Sequence, residues 1–161
     1  MATRLLFRPN DAEFPTTNYP AALPVNLRPV LAFDATTSET CYWTGVAPQG
    51  LTGALTAVIS YMMASAITGG VAFSVALEAI TTGDATDLDA GTSFDAVNTG
   101  TDAAVPGTAG YMEQISITLT NADSLAAADY FRLSLARAVA DAADTATEDC
   151  YVLSVELRDA A

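Results

Sequence analysis

Over much of this chain, apolar and polar side chains alternate at every second position. The alternation is clearest over residues 71–79, 111–120, 131–136 and 151–158, and it extends to Leu55–Met63, whose second face is also apolar. Successive residues of a β-strand point to opposite faces of a sheet, so this period predicts half-buried antiparallel strands. Glycine-rich and aspartate-rich turns separate the segments. The sequence therefore predicts an all-β fold, an antiparallel two-sheet β-sandwich of about eight strands.

Two segments lack the alternation. Residues 9–29 contain five of the seven prolines, and proline removes a backbone donor and fixes φ. We therefore predict that residues 1–30 form an extended N-terminal arm and that residues 31–161 form the sandwich domain. The arm would lie over the body of its own chain or over a neighbouring subunit. Residues 83–110 form a second irregular stretch, in which residues 93–97 are the expected hidden strand.

Composition excludes several classes of function. The chain has six arginines, nineteen carboxylates and a net charge of −13, and it contains neither lysine nor histidine. An acidic chain lacks the basic patches that nucleic acid and anionic membranes require. Without histidine and lysine, most general-base, Schiff-base and nucleophile-activating chemistry is also missing. The sequence predicts a protein that is not an enzyme, with no nucleic acid or membrane partner.

A cluster of acidic residues in the second irregular stretch is a candidate calcium site. Asp84, Asp87, Asp89 and Asp95 could supply the hard oxygen ligands that Ca²⁺ prefers. Their spacing does not follow the ligand order of an EF-hand, and a solvated acidic loop is the favoured alternative. No other cofactor is predicted.

Aromatic residues near the middle of the chain are candidates for stacking on a sugar. Tyr42 and Trp43 lie together in a short strand, and Tyr61 lies in another apolar segment. A tryptophan in such a strand is more often part of the core, and this is the interpretation favoured for Trp43. Glycan stacking by Tyr42 and Trp43 is kept as the alternative.

Two stretches resemble small structural proteins of tailed bacteriophages. They are residues 33–50 (FDATTSETCYWTGVAPQG) and residues 115–132 (ISITLTNADSLAAADYFR). In those proteins such runs belong to a jelly-roll-like sandwich that serves as a capsid decoration (cement) protein, a head fibre or a tail module. The resemblance covers about residues 31–158. The turn style usually has a glycine where this chain has Ala128.

The resemblance implies a virion structural protein on the outer surface of the capsid. It would form a homo-oligomer, expected to be a trimer, and bind the major capsid protein. The alternatives are a glycan-binding module of a phage fibre or tail, and a calcium-dependent adhesion module. In a jelly roll the first and last strands pair in one sheet, which would bring Cys41 near Cys150. The two thiols are therefore either bonded or, as favoured, buried and reduced.

Overall fold

The computed structural model describes residues 2–65 and 67–160 and confirms the all-β prediction. Two antiparallel sheets pack face to face, and the described residues contain no α-helix, only one 3₁₀ turn at Pro9–Asp11. The strands are β1 (Ala2–Phe7), β2 (Ala21–Val25), β3 (Arg28–Phe33), β4 (Thr40–Val46), β5 (Leu55–Met63), β6 (Val71–Ile80), β7 (Asn98–Asp102), β8 (Glu113–Leu119), β9 (Tyr130–Arg137) and β10 (Cys150–Asp159).

The strands divide into a six-stranded and a four-stranded sheet. The six-stranded sheet has the order β2-β3-β10-β5-β8, and β1 also pairs with β10. The first half of β10 pairs with β3 and the second half with β1, so β1 continues the sheet where β3 ends. The four-stranded sheet has the order β4-β9-β6-β7. In each of the strands β8, β9 and β10, alternate side chains point into the space between the sheets, as the period of two predicts.

The core lies between the two sheets. The rings of Phe33 and Phe73, from opposite sheets, meet edge to face with centroids 5.6 Å apart. All nine residues of β5 are buried, including the outward-facing Val58 and Met62, in agreement with the apolar second face seen in the sequence. The sheets approach closely at Gly100, where a Cβ would meet Ile117 Cγ1 at 2.5 Å.

The N-terminal segment differs from the predicted arm. Rather than lying outside the sandwich, the described part of this segment, residues 2–30, contributes β1 and β2 to the six-stranded sheet and includes the start of β3. The reason is that Phe7 is a core residue and Leu5 packs against the core. Pairing with β10 buries these apolar side chains, which is more favourable than leaving them exposed on an arm. Pro24 is tolerated because β2 is an edge strand. Only the part between Asp11 and Ala21 crosses the molecule as an irregular strap.

The segment predicted as a hidden strand is irregular. Residues 93–97 contain no strand, and β7 begins directly after them at Asn98. Asp95 explains the difference, because its backbone N–H donates to Leu77 O at 2.9 Å and its carboxylate accepts the Asp123 backbone N–H at 3.0 Å. These two bonds tie the segment both to β6 and to the turn before β9, without a continuous strand ladder. The turn before β9 has Ala128 at φ 70°, in the left-handed region that favours glycine.

In the described ranges, 2–65 and 67–160, no helix has the length and apolar character needed to cross a bilayer.

Candidate functional site

The outer face of the four-stranded sheet carries a row of polar side chains. Thr44 on β4 is opposite Arg132 on β9, and Arg132 is opposite Glu78 on β6. Their neighbours Phe131 and Leu133 point into the core, so the alternation of β9 directs Arg132 outward. Adjacent to this row, Tyr130 is 40% exposed. The sheet register thus places a threonine, an arginine, a carboxylate and a phenol side by side.

Arg132 is held in place by its neighbours. Its Cζ lies 4.9 Å from the ring centroid of Tyr42 and 5.4 Å from that of Phe94. Its Nη1 is 3.6 Å from Glu78 Oε2. A guanidinium over an aromatic face is attracted by the ring quadrupole, and the carboxylate adds a charge partner. The guanidinium is therefore positioned before any ligand arrives.

A long loop between β6 and β7 covers part of this face. Glu78 is only 3% exposed, and its Oε1 accepts the Ser93 backbone N–H at 2.5 Å and the Ser93 hydroxyl at 3.1 Å. The ring of Phe94 packs against that of Tyr42, with centroids 5.7 Å apart. The carboxylate of Glu78 thus anchors the loop with one oxygen and faces Arg132 with the other.

The loop, the sheet and the N-terminal strap enclose a groove of about 270 Å³. The strap brings Glu13 to the groove through two backbone hydrogen bonds with Tyr42, of 2.8 and 2.9 Å. We call this feature the sheet groove; its lining residues are Glu13, Thr44, Glu78, Leu88, Gly91, Tyr130 and Arg132. An exposed ring beside fixed donors and acceptors suits a ligand that has both an apolar face and many hydroxyls.

The structure separates the two predicted stacking residues. Trp43 is 2% exposed and belongs to the core, where its ring lies 5.8 Å from that of Phe7 and its Nε1 donates to Arg8 O at 2.9 Å. Trp43 as a glycan platform is therefore wrong, because alternation along β4 points it inward. Tyr61 is also buried. Tyr42 is half-buried on the outer face, where it supports Arg132.

The candidate calcium ligands do not form a site. Within the described parts of the chain, no group of three or more acidic or cysteine side chains is placed to hold a metal ion. Three of the four carboxylates instead cap backbone N–H groups nearby. Asp84 accepts from Thr81, Asp87 from Asp89, and Asp95 from Ala96 and Asp123. These carboxylates therefore satisfy backbone donors, and only Asp87 has the two-residue spacing of an Asx turn.

We accordingly expect calcium to leave thermal stability unchanged. A cation that binds only the folded state raises Tm once its free concentration exceeds Kd, and no ligand set is assembled among the described residues. Melting curves with calcium chloride and with EDTA should superimpose. A Tm that rises with calcium and falls with chelator would show that the acidic loop rearranges to bind it.

Cys41 and Cys150 are free and buried. Cys41 lies on β4 of the four-stranded sheet and Cys150 on β10 of the six-stranded sheet. The first and last strands do pair, but the first strand is β1 and not the strand of Cys41, which removes the argument for a disulfide. Burial raises the pKa of both thiols well above the usual range. Such thiols are protonated and poor nucleophiles.

Sequence reasoning missed the residues that form the sheet groove. Arg132 and Glu78 were visible as charged residues at outward positions of two predicted strands. Their pairing was not visible, because β6 and β9 are separated by two further strands in the chain. Glu13 lies between Pro9 and Pro15 in a segment without alternation, so the sequence did not predict which way its side chain points.

The chain matches no protein-family model and no curated protein. Its fold is similar to that of solved carbohydrate-binding modules. One is a CBM35 from Cellvibrio japonicus Abf62, with a TM-score of 0.54 and 10% identity over 98% of this chain and 94% of that one. Another is the CBM22-2 xylan-binding domain of Paenibacillus barcinonensis Xyn10C, with a TM-score of 0.53 and 14% identity over 96% of this chain and 98% of that one. These similarities show the jelly-roll sandwich fold.

Proposed function

We propose that this protein is a glycan-binding module and that the sheet groove is its binding site. The observation that carries the proposal is the Tyr130 ring beside a preorganised Arg132 in a concave site on the sheet. A sugar ring offers C–H groups to an aromatic face and hydroxyls to charged groups. Here Tyr130 would contact the sugar face, while Arg132, Thr44 and Glu13 would bind its hydroxyls.

Preorganisation makes such a site effective despite its small size. Arg132 is held by Tyr42, Phe94 and Glu78, so little side-chain entropy remains to be lost when a ligand binds. The site sits mostly on strands, which hold side chains more firmly than loops do. Binding would need no metal ion.

The structural neighbours support a binding role without catalysis. Both neighbours described above are named as carbohydrate-binding modules, and this chain shares their sandwich fold. It also has no histidine or lysine to act as a general base. These points favour the glycan-binding alternative over the capsid-decoration role.

The place of the protein in a virion stays a prediction. It rests on the resemblance of residues 33–50 and 115–132 to phage structural proteins. A glycan-binding module on a phage fibre or tail would satisfy both the resemblance and the groove. Mass spectrometry of purified particles tests it: we expect this chain among the particle proteins, and its absence would refute a virion role.

We expect glycan affinity to depend on Tyr130 and Arg132. The probe is a panel of soluble polysaccharides, including xylan, β-glucan and galactan, tested by affinity electrophoresis. Stacking on an aromatic ring contributes about 0.5–1.5 kcal/mol, so Tyr130→Ala should weaken binding to the retarding polysaccharide by up to about tenfold. Arg132→Met should weaken it further, because it removes the donors and loosens Phe94.

Tyr19→Ala is the matched control. Tyr19 is 47% exposed, similar to Tyr130, but its ring packs on Phe14 instead of lining the groove. This variant should bind as the wild type does. Binding that Tyr130→Ala and Arg132→Met leave intact would place the site elsewhere, and failure of the wild type to bind any polysaccharide of the panel would refute the proposal.

A further inference from the structure

A broad apolar surface covers the outer face of the six-stranded sheet. It comprises three adjoining grooves of about 320, 460 and 380 Å³. The second and third share Arg28 and Leu153, and the first and third share Pro29. Leu6 is 49% exposed and Met112 is 61% exposed on this surface. We call it the outer apolar face. Its exposed apolar side chains therefore line adjoining grooves and are not scattered singly over the surface.

The charged side chains that line the three grooves are all arginines, although the chain as a whole is acidic. No aspartate or glutamate lines any of the three grooves, although the chain has nineteen carboxylates. Arg8 and Arg28 do line them, and neither forms an ion pair among residues 2–65 and 67–160. Glu156, on the same side of β10, is already paired with Arg158 at 2.9 Å.

The turn between β2 and β3 gives an independent indication. Asn26 and Leu27 both have positive φ, of 47° and 66°, as in a two-residue hairpin turn of type I′. Glycine is preferred at the second position, because a larger side chain is strained there. Yet Leu27 is a leucine and is 95% exposed. A strained and fully solvated leucine costs stability in the isolated chain, which points to a contact that buries it.

We propose that the outer apolar face binds a second copy of this chain. Two molecules with a net charge of −13 repel each other wherever carboxylates are brought together. Two copies can approach through the outer apolar face because no carboxylate lines its grooves. Arg8 and Arg28 also make the potential of this face less negative. Leu6, Leu27 and Met112 would then bury apolar area against the partner copy. The sheet groove is on the other layer, so each copy keeps its groove open.

Salt distinguishes a second copy from an acidic foreign partner. Contact between two copies is driven by apolar burial against net repulsion, so added sodium chloride should screen the repulsion and strengthen association. Docking of a foreign acidic segment on Arg8 and Arg28 would instead weaken with salt.

Sedimentation velocity over a range of protein concentrations, at low and at high salt, tests the proposal. We expect the wild type to form a species larger than 16.6 kDa and to do so more readily at high salt. Leu27→Gly should weaken association by about tenfold or more and leave Tm equal or higher, because it removes the strain at the turn. Met112→Ser should weaken association in the same direction.

Val46→Thr is the control, since Val46 is 61% exposed but lies on the four-stranded sheet. It should associate as the wild type does. A wild type that stays at 16.6 kDa at every concentration and salt level overturns the proposal, as does a Leu27→Gly variant that associates normally. Association that weakens with salt would also overturn it.

Discussion

Replacing Arg137 by methionine should lower the free energy of unfolding by about 3–5 kcal/mol, because the change leaves a buried carboxylate without its partner. Arg137 is fully buried at the end of β9. Its Nε and Nη2 donate to the two oxygens of Asp144 at 3.0 and 2.9 Å. Nη1 and Nη2 also donate to Glu148 O at 2.8 Å and Ala146 O at 2.7 Å.

The network explains why the connection from β9 to β10 is ordered without a helix. Asp144 also accepts the Ala72 backbone N–H at 3.0 Å, which joins the connection to β6. With methionine at position 137, the Asp144 carboxylate and two carbonyls together lose the donors that Arg137 supplies, and Asp144 keeps only the Ala72 N–H. Urea denaturation followed by fluorescence measures the change.

Arg158→Met is the control for this prediction. Arg158 pairs with Glu156 at 2.9 Å, but its side chain is 28% exposed, and such pairs contribute less than about 1 kcal/mol. A second variant, Arg137→Met with Asp144→Leu, should recover part of the loss, because no buried charge is left. A loss below about 1 kcal/mol for Arg137→Met alone would contradict the assigned network.

Trp43→Ala should destabilise the fold by about 3–5 kcal/mol, the usual cost of removing a large buried aromatic side chain. The ring of Trp43 packs against Phe7, which in turn meets Phe131 with centroids 6.1 Å apart. Its indole also ties β4 to the backbone of Arg8. The substitution would leave a cavity where the end of β1 packs on the core.

Trp43→Phe separates packing from glycan contact. It retains most of the apolar volume and should be folded, with a smaller loss of stability. Because the ring is in the core, this variant should bind the retarding polysaccharide as tightly as the wild type. Loss of binding by a folded Trp43→Phe protein would instead show that the indole contributes to the binding site.

Strand positions could be predicted because their signal is local. The alternation in β6, β8, β9 and β10 needs only neighbouring residues, and the sandwich follows from the number of such strands. The structure of the N-terminal segment, in contrast, depends on a contact that is distant in the sequence. Its prolines indicated an arm, but whether Leu5 and Phe7 pair with a strand depends on a free edge of β10, more than 140 residues away in the chain.

The sheet groove was harder to predict than the fold. Its members come from the strap, β4, β6, the loop after β6 and β9, and each is unremarkable in its own segment. Conversely, Trp43 was a candidate for glycan stacking because of its residue type alone. The period of two along β4 places its side chain in the core. Alternation therefore locates the outward positions of a strand, but only the strand order shows which of them become neighbours.

The most direct test of the account is where a glycan binds. Backbone amide chemical shifts, followed by NMR during titration with oligosaccharides of the retarding polysaccharide, give that location. We predict shifts at Thr44, Tyr130 and Arg132, with none at Leu6 or Leu153 on the opposite layer. Shifts confined to the outer apolar face, or no shift at any residue of the sheet groove, would contradict it.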